Sequence, residues 1–248
     1  MNRSTTPSRA ESPSPVPQRN EGSPAVPRRE GAAARRTRAT AIAETLERAY
    51  PEAECSLRFS SPFQLLLATI LSAQCTDKRV NMVTGELFSR WPTPADLAAA
   101  KPRDLEGVIR STGFFRAKAK SILGCCRALM ERHGGDVPRV LDDLVKLPGV
   151  GRKTANVVLG SAFGQASGVV VDTHVGRISR RLGLTRHTDA VRAERDLVKL
   201  LPERHWIAFS HRLIEHGRTV CAARSPRCGD CCLASLCPRI GLPAAKRR

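Results

Sequence analysis

Four cysteines, Cys221, Cys228, Cys231 and Cys237, fall in a C-x6-C-x2-C-x5-C pattern near the end of this 248-residue chain. They constrain what it can fold into more than any other feature. Four thiols within 17 residues (237 minus 221, counted inclusively) converge only around a shared ion or cluster. Zinc sites usually show two close pairs separated by a longer finger. One close pair with a single cysteine on either side suits the wider, cube-like iron–sulfur cluster, also held by four thiolates. Zinc and plain buried thiols are the alternatives at this point. Cys55, Cys75, Cys125, Cys126 and Cys232 show no ligand spacing and read as small buried hydrophobes. No apolar leader is seen ahead of these thiols, so the expected home is a reducing cytoplasm.

Charge narrows the partner. The chain carries 41 basic and 23 acidic residues, a formal net charge of +18. Such a surplus favours a polyanion, most commonly nucleic acid. No apolar run approaches the roughly 20 residues of a membrane span. The longest, Phe63 to Leu71, is the length of a core helix. Aromatics are only 4% of the chain, which argues against a base-stacking platform for single strands.

Composition also sets the organisation. Residues 1–36 are rich in Pro, Ser, Ala and Arg with hardly a large apolar side chain, so they are expected to be a disordered basic tail. Beyond it, apolar residues recur at helical spacing, beginning with Thr40 to Ala49 before Pro51. Ser61-Pro62 supplies a capping residue and a first-turn proline ahead of Phe63. Further helices are expected at 79–88, 94–100, 103–111, 117–133, 141–147, 152–160, 173–182, 190–200 and 207–216. Strand alternation is missing, and Val169-Val170-Val171 is too short to build a sheet. The expected class is all-α.

Leu147-Pro148-Gly149-Val150-Gly151-Arg152-Lys153 reads as a helix end, a tight turn and a new helix. Gly149 and Gly151 are expected to permit unusual backbone angles and close approach of another surface. The free N–H groups of the turn and the new helix favour an anion such as a DNA phosphate. That makes a helix–hairpin–helix, with Gly149, Val150, Gly151 and Arg152 as its DNA-binding residues, though an ordinary helical corner would also accept glycine. Lys153 sits in the first turn, where the helix dipole disfavours a cation, and a neutral amine is a nucleophile. Asp172 follows a buried valine run and suits the cap of a helix starting at Thr173. Taken singly, Lys153 reads as one more phosphate contact and Asp172 as a cap.

Together these segments change the reading. LPGVGRKTANVVL (147–159), VDTHVGRISRRL (171–182), LSAQCTD (71–77) and the four-cysteine ending resemble the endonuclease III family of DNA glycosylase/AP lyases. The resemblance covers nearly everything after the tail. It implies two α-helical domains with a DNA cleft between them. Residues 56–167 would form a six-helix barrel carrying the hairpin, and residues 37–55 with 168–248 would form a [4Fe-4S] cluster domain. It implies a repair enzyme that removes oxidised pyrimidines from double-stranded DNA, acting as a monomer at the bacterial nucleoid. Lys153 would attack the sugar, and Asp172 would stabilise the charge that develops there. Gln74 would fill the space left by the flipped lesion, and Phe114 would be a second wedge, at a position the family usually fills with an aliphatic residue. Cys221, Cys228, Cys231 and Cys237 would hold the cluster, and Arg224 and Arg227 in their loop would reach phosphates.

Two rival readings are distinguishable. The adenine-specific mispair glycosylase shares the hairpin and the cysteines but generally lacks the lysine. It also carries a further carboxyl-terminal domain, for which the residues after Cys237 are expected to leave no room. A non-enzymatic DNA-binding protein would use the hairpin only as a grip.

Overall fold

The computed structural model describes residues 30–242, and within them the chain is entirely helical, with eleven α-helices and no strand. They are α1 (Ala32–Ala49), α2 (Pro62–Leu71), α3 (Asp77–Arg90), α4 (Pro94–Ala99), α5 (Pro102–Ile109), α6 (Phe115–His133), α7 (Leu141–Leu144), α8 (Arg152–Phe163), α9 (Thr173–Arg181), α10 (Ala190–Leu200) and α11 (Trp206–Thr219). Helix starts follow local chemistry. Ser61 accepts from the Gln64 N–H at the head of α2, and Thr93 and Asp96 close a reciprocal capping box on α4.

Two corrections concern helix ends. Helix α1 begins at Ala32, inside the stretch that composition assigned to the tail. Its anchor is tertiary: buried Arg38 pairs with Glu30 at 2.6 Å and donates to the Leu182 and Leu236 carbonyls. The expected tail before residue 30 lies outside the described residues. Helix α7 ends at Leu144 rather than Leu147, and single-turn bonds such as Leu147 N–H to Leu144 O carry the chain onward to the glycines.

The buried apolar residues form two separate cores. One gathers Leu57 through Leu159, from α2 to α8. The other joins Ala39, Ile42, Ala43 and Leu46 of α1 to residues from Val169 through Leu233. Within the first core α2 lies against α8 and α4 against α6; within the second, α11 packs on α9 and α1. The second core therefore takes in both ends of the described chain, and chain segments enter and leave it near Tyr50 and Gly168. Cys125 and Cys126 are fully buried in the first core, and burial pushes the Cys125 thiol up to about 12 and the Cys126 thiol up as well, as inert core residues should behave.

Candidate active site

Lys153 and Asp172 come from different cores and meet at the same cavities. Two adjoining hollows, of about 710 and 940 Å³, are both lined by Lys153, Asp172, Ser56, Ser72, Asp77 and Arg218. Such a volume admits a base with its sugar. Lys153 is exposed in the first turn of α8. Asp172 caps α9: one carboxylate oxygen accepts from the Val175 N–H at 2.7 Å, and the other from His174 Nδ1 at 3.2 Å. The cap and the cavity wall are thus the same side chain. Across the mouth, Arg218 of α11 pairs with Asp77 at 2.8 Å and donates to Ser56 Oγ at 3.0 Å.

His211 on α11 and Tyr50 after α1 also line the smaller hollow. Burial depresses the His211 pKa, so a neutral imidazole stands in the wall; its Nε2 lies 3.4 Å from Ser161 Oγ. Neither residue was found from sequence. Both reach the cavity through long-range packing, and no local spacing marks them.

The turn before α8 shows how the two glycines differ. Gly149 has φ of +79°, and a Cβ there would lie 2.7 Å from Ser121 Cβ, so glycine is required. Gly151 has φ of −91° and nothing within 4 Å of an added Cβ. The expected unusual backbone at Gly151 is therefore absent; what it leaves is open space over the start of α8. No side chain caps that start and its first turn holds no acidic residue, so the amides face outward. Val150 is buried beneath the turn.

Arg152 is not free. Its Nε and Nη2 donate to Glu194 of α10 at 3.0 and 3.1 Å, and Asn156 Nδ2 donates to the same carboxylate at 2.9 Å. Glu194 is 6% exposed. The guanidinium thus ties the hairpin to the second core, while the Val150 N–H closes the turn by donating to the Leu147 carbonyl at 3.1 Å. Sequence reading missed Glu194 because its partners are 38 or more positions away.

Gln74 and Phe114 are both exposed, and both have left-handed backbone, with φ of 52° and 48°. Only one other non-glycine among the described residues, Arg239, shares that region. A left-handed residue with a Cβ costs on the order of 1 kcal/mol, and such strain clusters at functional loops. Gln74 lies in the loop between Ser72 and Cys75, both of which line the larger hollow.

Of the nine cysteines, Cys221, Cys228, Cys231 and Cys237 line one apolar-walled cavity, with Cys232 outside its lining. Among the described residues no three His, Cys, Asp or Glu side chains are gathered closely enough to hold a single ion. Four thiols around one apolar-walled cavity are the donor set that an iron–sulfur cluster takes. N–H groups already point at them. Arg181 Nη1 donates to Cys221 Sγ at 3.2 Å, and the Arg239 N–H donates to Cys237 Sγ at 3.4 Å. Arg239 itself has left-handed backbone, with φ of 56°. His216 Nε2 lies 3.5 Å from Cys231 Sγ while its Nδ1 lies 2.9 Å from Tyr50 Oη. Burial depresses His216 to about 4, so the ring is neutral, with one nitrogen turned to Tyr50 Oη and the other to sulfur. In the intervening loop Arg224 is exposed, and Arg227, also exposed, donates to the Thr219 carbonyl.

Residues 67–203 match the model of the HhH-GPD superfamily base excision DNA repair proteins. Endonuclease III of Synechocystis sp. is 57% identical over 206 residues, 83% of this chain and 94% of that protein. A solved non-covalent endonuclease III–DNA complex superposes with a TM-score of 0.76 at 46% identity, covering 80% of this chain and 93% of the other. A trapped endonuclease III–DNA covalent intermediate gives 0.75 at 46% identity, with 79% and 92% covered. A family match over more than half of the chain, together with relatives this similar along nearly their whole length, shows that the chain belongs to the endonuclease III family of HhH-GPD base excision DNA repair proteins.

Proposed function

We propose that this chain is a bifunctional DNA glycosylase/AP lyase that removes oxidised pyrimidines from duplex DNA and cleaves the strand 3′ to the resulting abasic site. The observation that carries the reading is the meeting of Lys153 and Asp172, from two separate cores, at one pair of cavities. The Lys153 amine attacks C1′ of the damaged nucleotide and the C1′–N bond to the base breaks. Ring opening yields a Schiff base to Lys153. Loss of a C2′ proton then expels the 3′ phosphate, and water releases the lysine. Asp172 faces the cationic sugar, and its cap bond from Val175 holds that carboxylate in place.

The supporting architecture follows the two cores. Residues 56–167 form a six-helix barrel and residues 37–55 with 168–248, of which 243–248 lie outside the described residues, a cluster domain, with the DNA cleft at their junction. The barrel offers the N–H groups of Gly149 and Gly151 to the backbone phosphates, with the Val150 N–H closing the turn onto the Leu147 carbonyl at 3.1 Å, while Gln74 and Phe114 enter the duplex where the lesion leaves the stack. Cys221, Cys228, Cys231 and Cys237 hold a [4Fe-4S] cluster. Bound there, the cluster supplies a cross-link that fixes the loop carrying Arg224 and Arg227 toward phosphate. The protein works as a monomer on double-stranded DNA. No helix among the described residues is long and apolar enough to cross a membrane.

Strand cleavage tests the reading. Duplexes carrying thymine glycol, an abasic site, or adenine opposite 8-oxoguanine would be incubated with protein whose cysteines are loaded with iron and sulfide. Cutting of the first two alone is expected. Excision of adenine without strand cleavage would point to the mispair enzyme, and binding without any cutting would leave only a DNA-binding protein.

A further inference from the structure

Lys118 is a lysine in the wrong place for a surface charge. It stands on the buried stripe of α6 with Ile122, Cys125 and Leu129, and it is 5% exposed. Burial lowers its pKa, yet its ammonium group has two good acceptors. Nζ donates to the Leu71 carbonyl and to the Thr112 carbonyl, each at 2.8 Å. Both are main-chain oxygens at helix ends. Leu71 closes α2, and Thr112 closes the short 3-10 turn Arg110–Thr112. Such carbonyls lack partners within their own helix and carry the negative end of its dipole, so a compact cation suits them.

The two anchored ends are the roots of two exposed tips. Three residues after Leu71 comes Gln74, and two after Thr112 comes Phe114, which is 67% exposed. The Lys118 N–H also donates to the Phe114 carbonyl at 3.0 Å. One residue therefore holds three points on two loops, each tipped by a left-handed residue. We propose that Lys118 is a positioning residue that sets the separation of Gln74 and Phe114, so that the two enter a duplex as a matched pair. This rests on the reading of Gln74 and Phe114 as the residues that enter the duplex. Lys118 touches no reacting atom in this account; it acts through the two loops.

The test compares substrates that differ in what must be filled. An abasic site in a duplex leaves a gap in the stack and an unpaired base opposite; the same site in a single strand leaves neither. Lys118→Met keeps the apolar stem and removes the donors. Its rate of cleavage in duplex DNA is expected to fall on the order of tenfold to a hundredfold, the scale of an ångström-sized misplacement. Its rate in single-stranded DNA is expected to stay within about twofold of wild type, because Lys153 and Asp172 are untouched. On a Phe114→Ala background the same substitution should add little, since the pair it sets is already gone. If Lys118→Met does not fold, Lys118→Gln, which retains one amide donor group, carries the same comparison.

Equal losses on both substrates would assign Lys118 a merely structural role, and a folded variant with unchanged duplex cleavage would remove it from the mechanism. Either result overturns the proposal. Wild-type protein that cuts neither substrate would instead overturn the functional reading, so the two failures are distinguishable.

Discussion

Replacing Arg152 separates two physical roles that sequence could not tell apart. The structure spends its guanidinium on Glu194 through two charge-assisted bonds of 3.0 and 3.1 Å. Arg152→Ala would leave a carboxylate that is 6% exposed with Asn156 as its one remaining donor. Removing one member of a fully buried pair costs about 3–5 kcal/mol. Arg152 is itself nearly half exposed, and water can take part of its place, so the expected loss is about 2 kcal/mol. For a chain of this size that corresponds to a fall in Tm of roughly 4–8 °C. A double-mutant cycle with Glu194→Ala should return a coupling of about 1–2 kcal/mol. The assay is urea unfolding alongside duplex binding across a salt series. A solvent-facing arginine devoted to phosphate would give the opposite pattern, with stability unchanged and the salt slope reduced by about 1. That result would refute the clamp.

Further outcomes follow from the same geometry. Gly149→Ala must strain φ and press on Ser121, so it should destabilise the fold by more than about 1 kcal/mol. Gly151→Ala should leave stability unchanged or slightly raised while weakening duplex binding, as its Cβ would project into the space where a phosphate must approach. Asp172→Asn keeps a capping oxygen for the Val175 N–H, so melting should shift little while excision is lost; Asp172→Ala should lose both, with about 1 kcal/mol from the cap. His205 and His211 are held neutral by burial, while the unfolded chain takes up protons near the ordinary value of 6.5. Stability should therefore be full above that pH and decline as pH falls below it toward the depressed folded values. Urea midpoints at pH 7.5 and 5.5 measure this, and the double variant His205→Leu, His211→Gln should shrink the difference, leaving the part that His216, depressed to about 4, contributes.

What sequence could show, and what it could not, divides by distance along the chain. Spacing named the four cysteines that line one cavity, and the caps at Ser61 and Asp172 could be read because a cap and its helix lie within three residues. The hairpin was legible for the same local reason. Glu194, Tyr50 and His211 were not, since each acts on residues far away in sequence. The start of α1 was missed because an alanine- and arginine-rich stretch has no apolar stripe; the Glu30–Arg38 pair and the Leu182 carbonyl anchor it. Lys118 did leave a local mark, a lone cation on an otherwise apolar helical stripe, which went unread. Gly151 was over-read: its conformation is ordinary, and no part of the described structure lies within 4 Å of an added Cβ.

The central claim is that the Lys153 amine forms the covalent link to DNA. Borohydride reduction during turnover on an abasic duplex, followed by protease digestion and mass mapping, tests it directly. The account predicts a stable adduct on the peptide containing Lys153, and none with Lys153→Ala although the variant still binds the duplex. An adduct mapped to another amine, or one that survives in the variant, would contradict it.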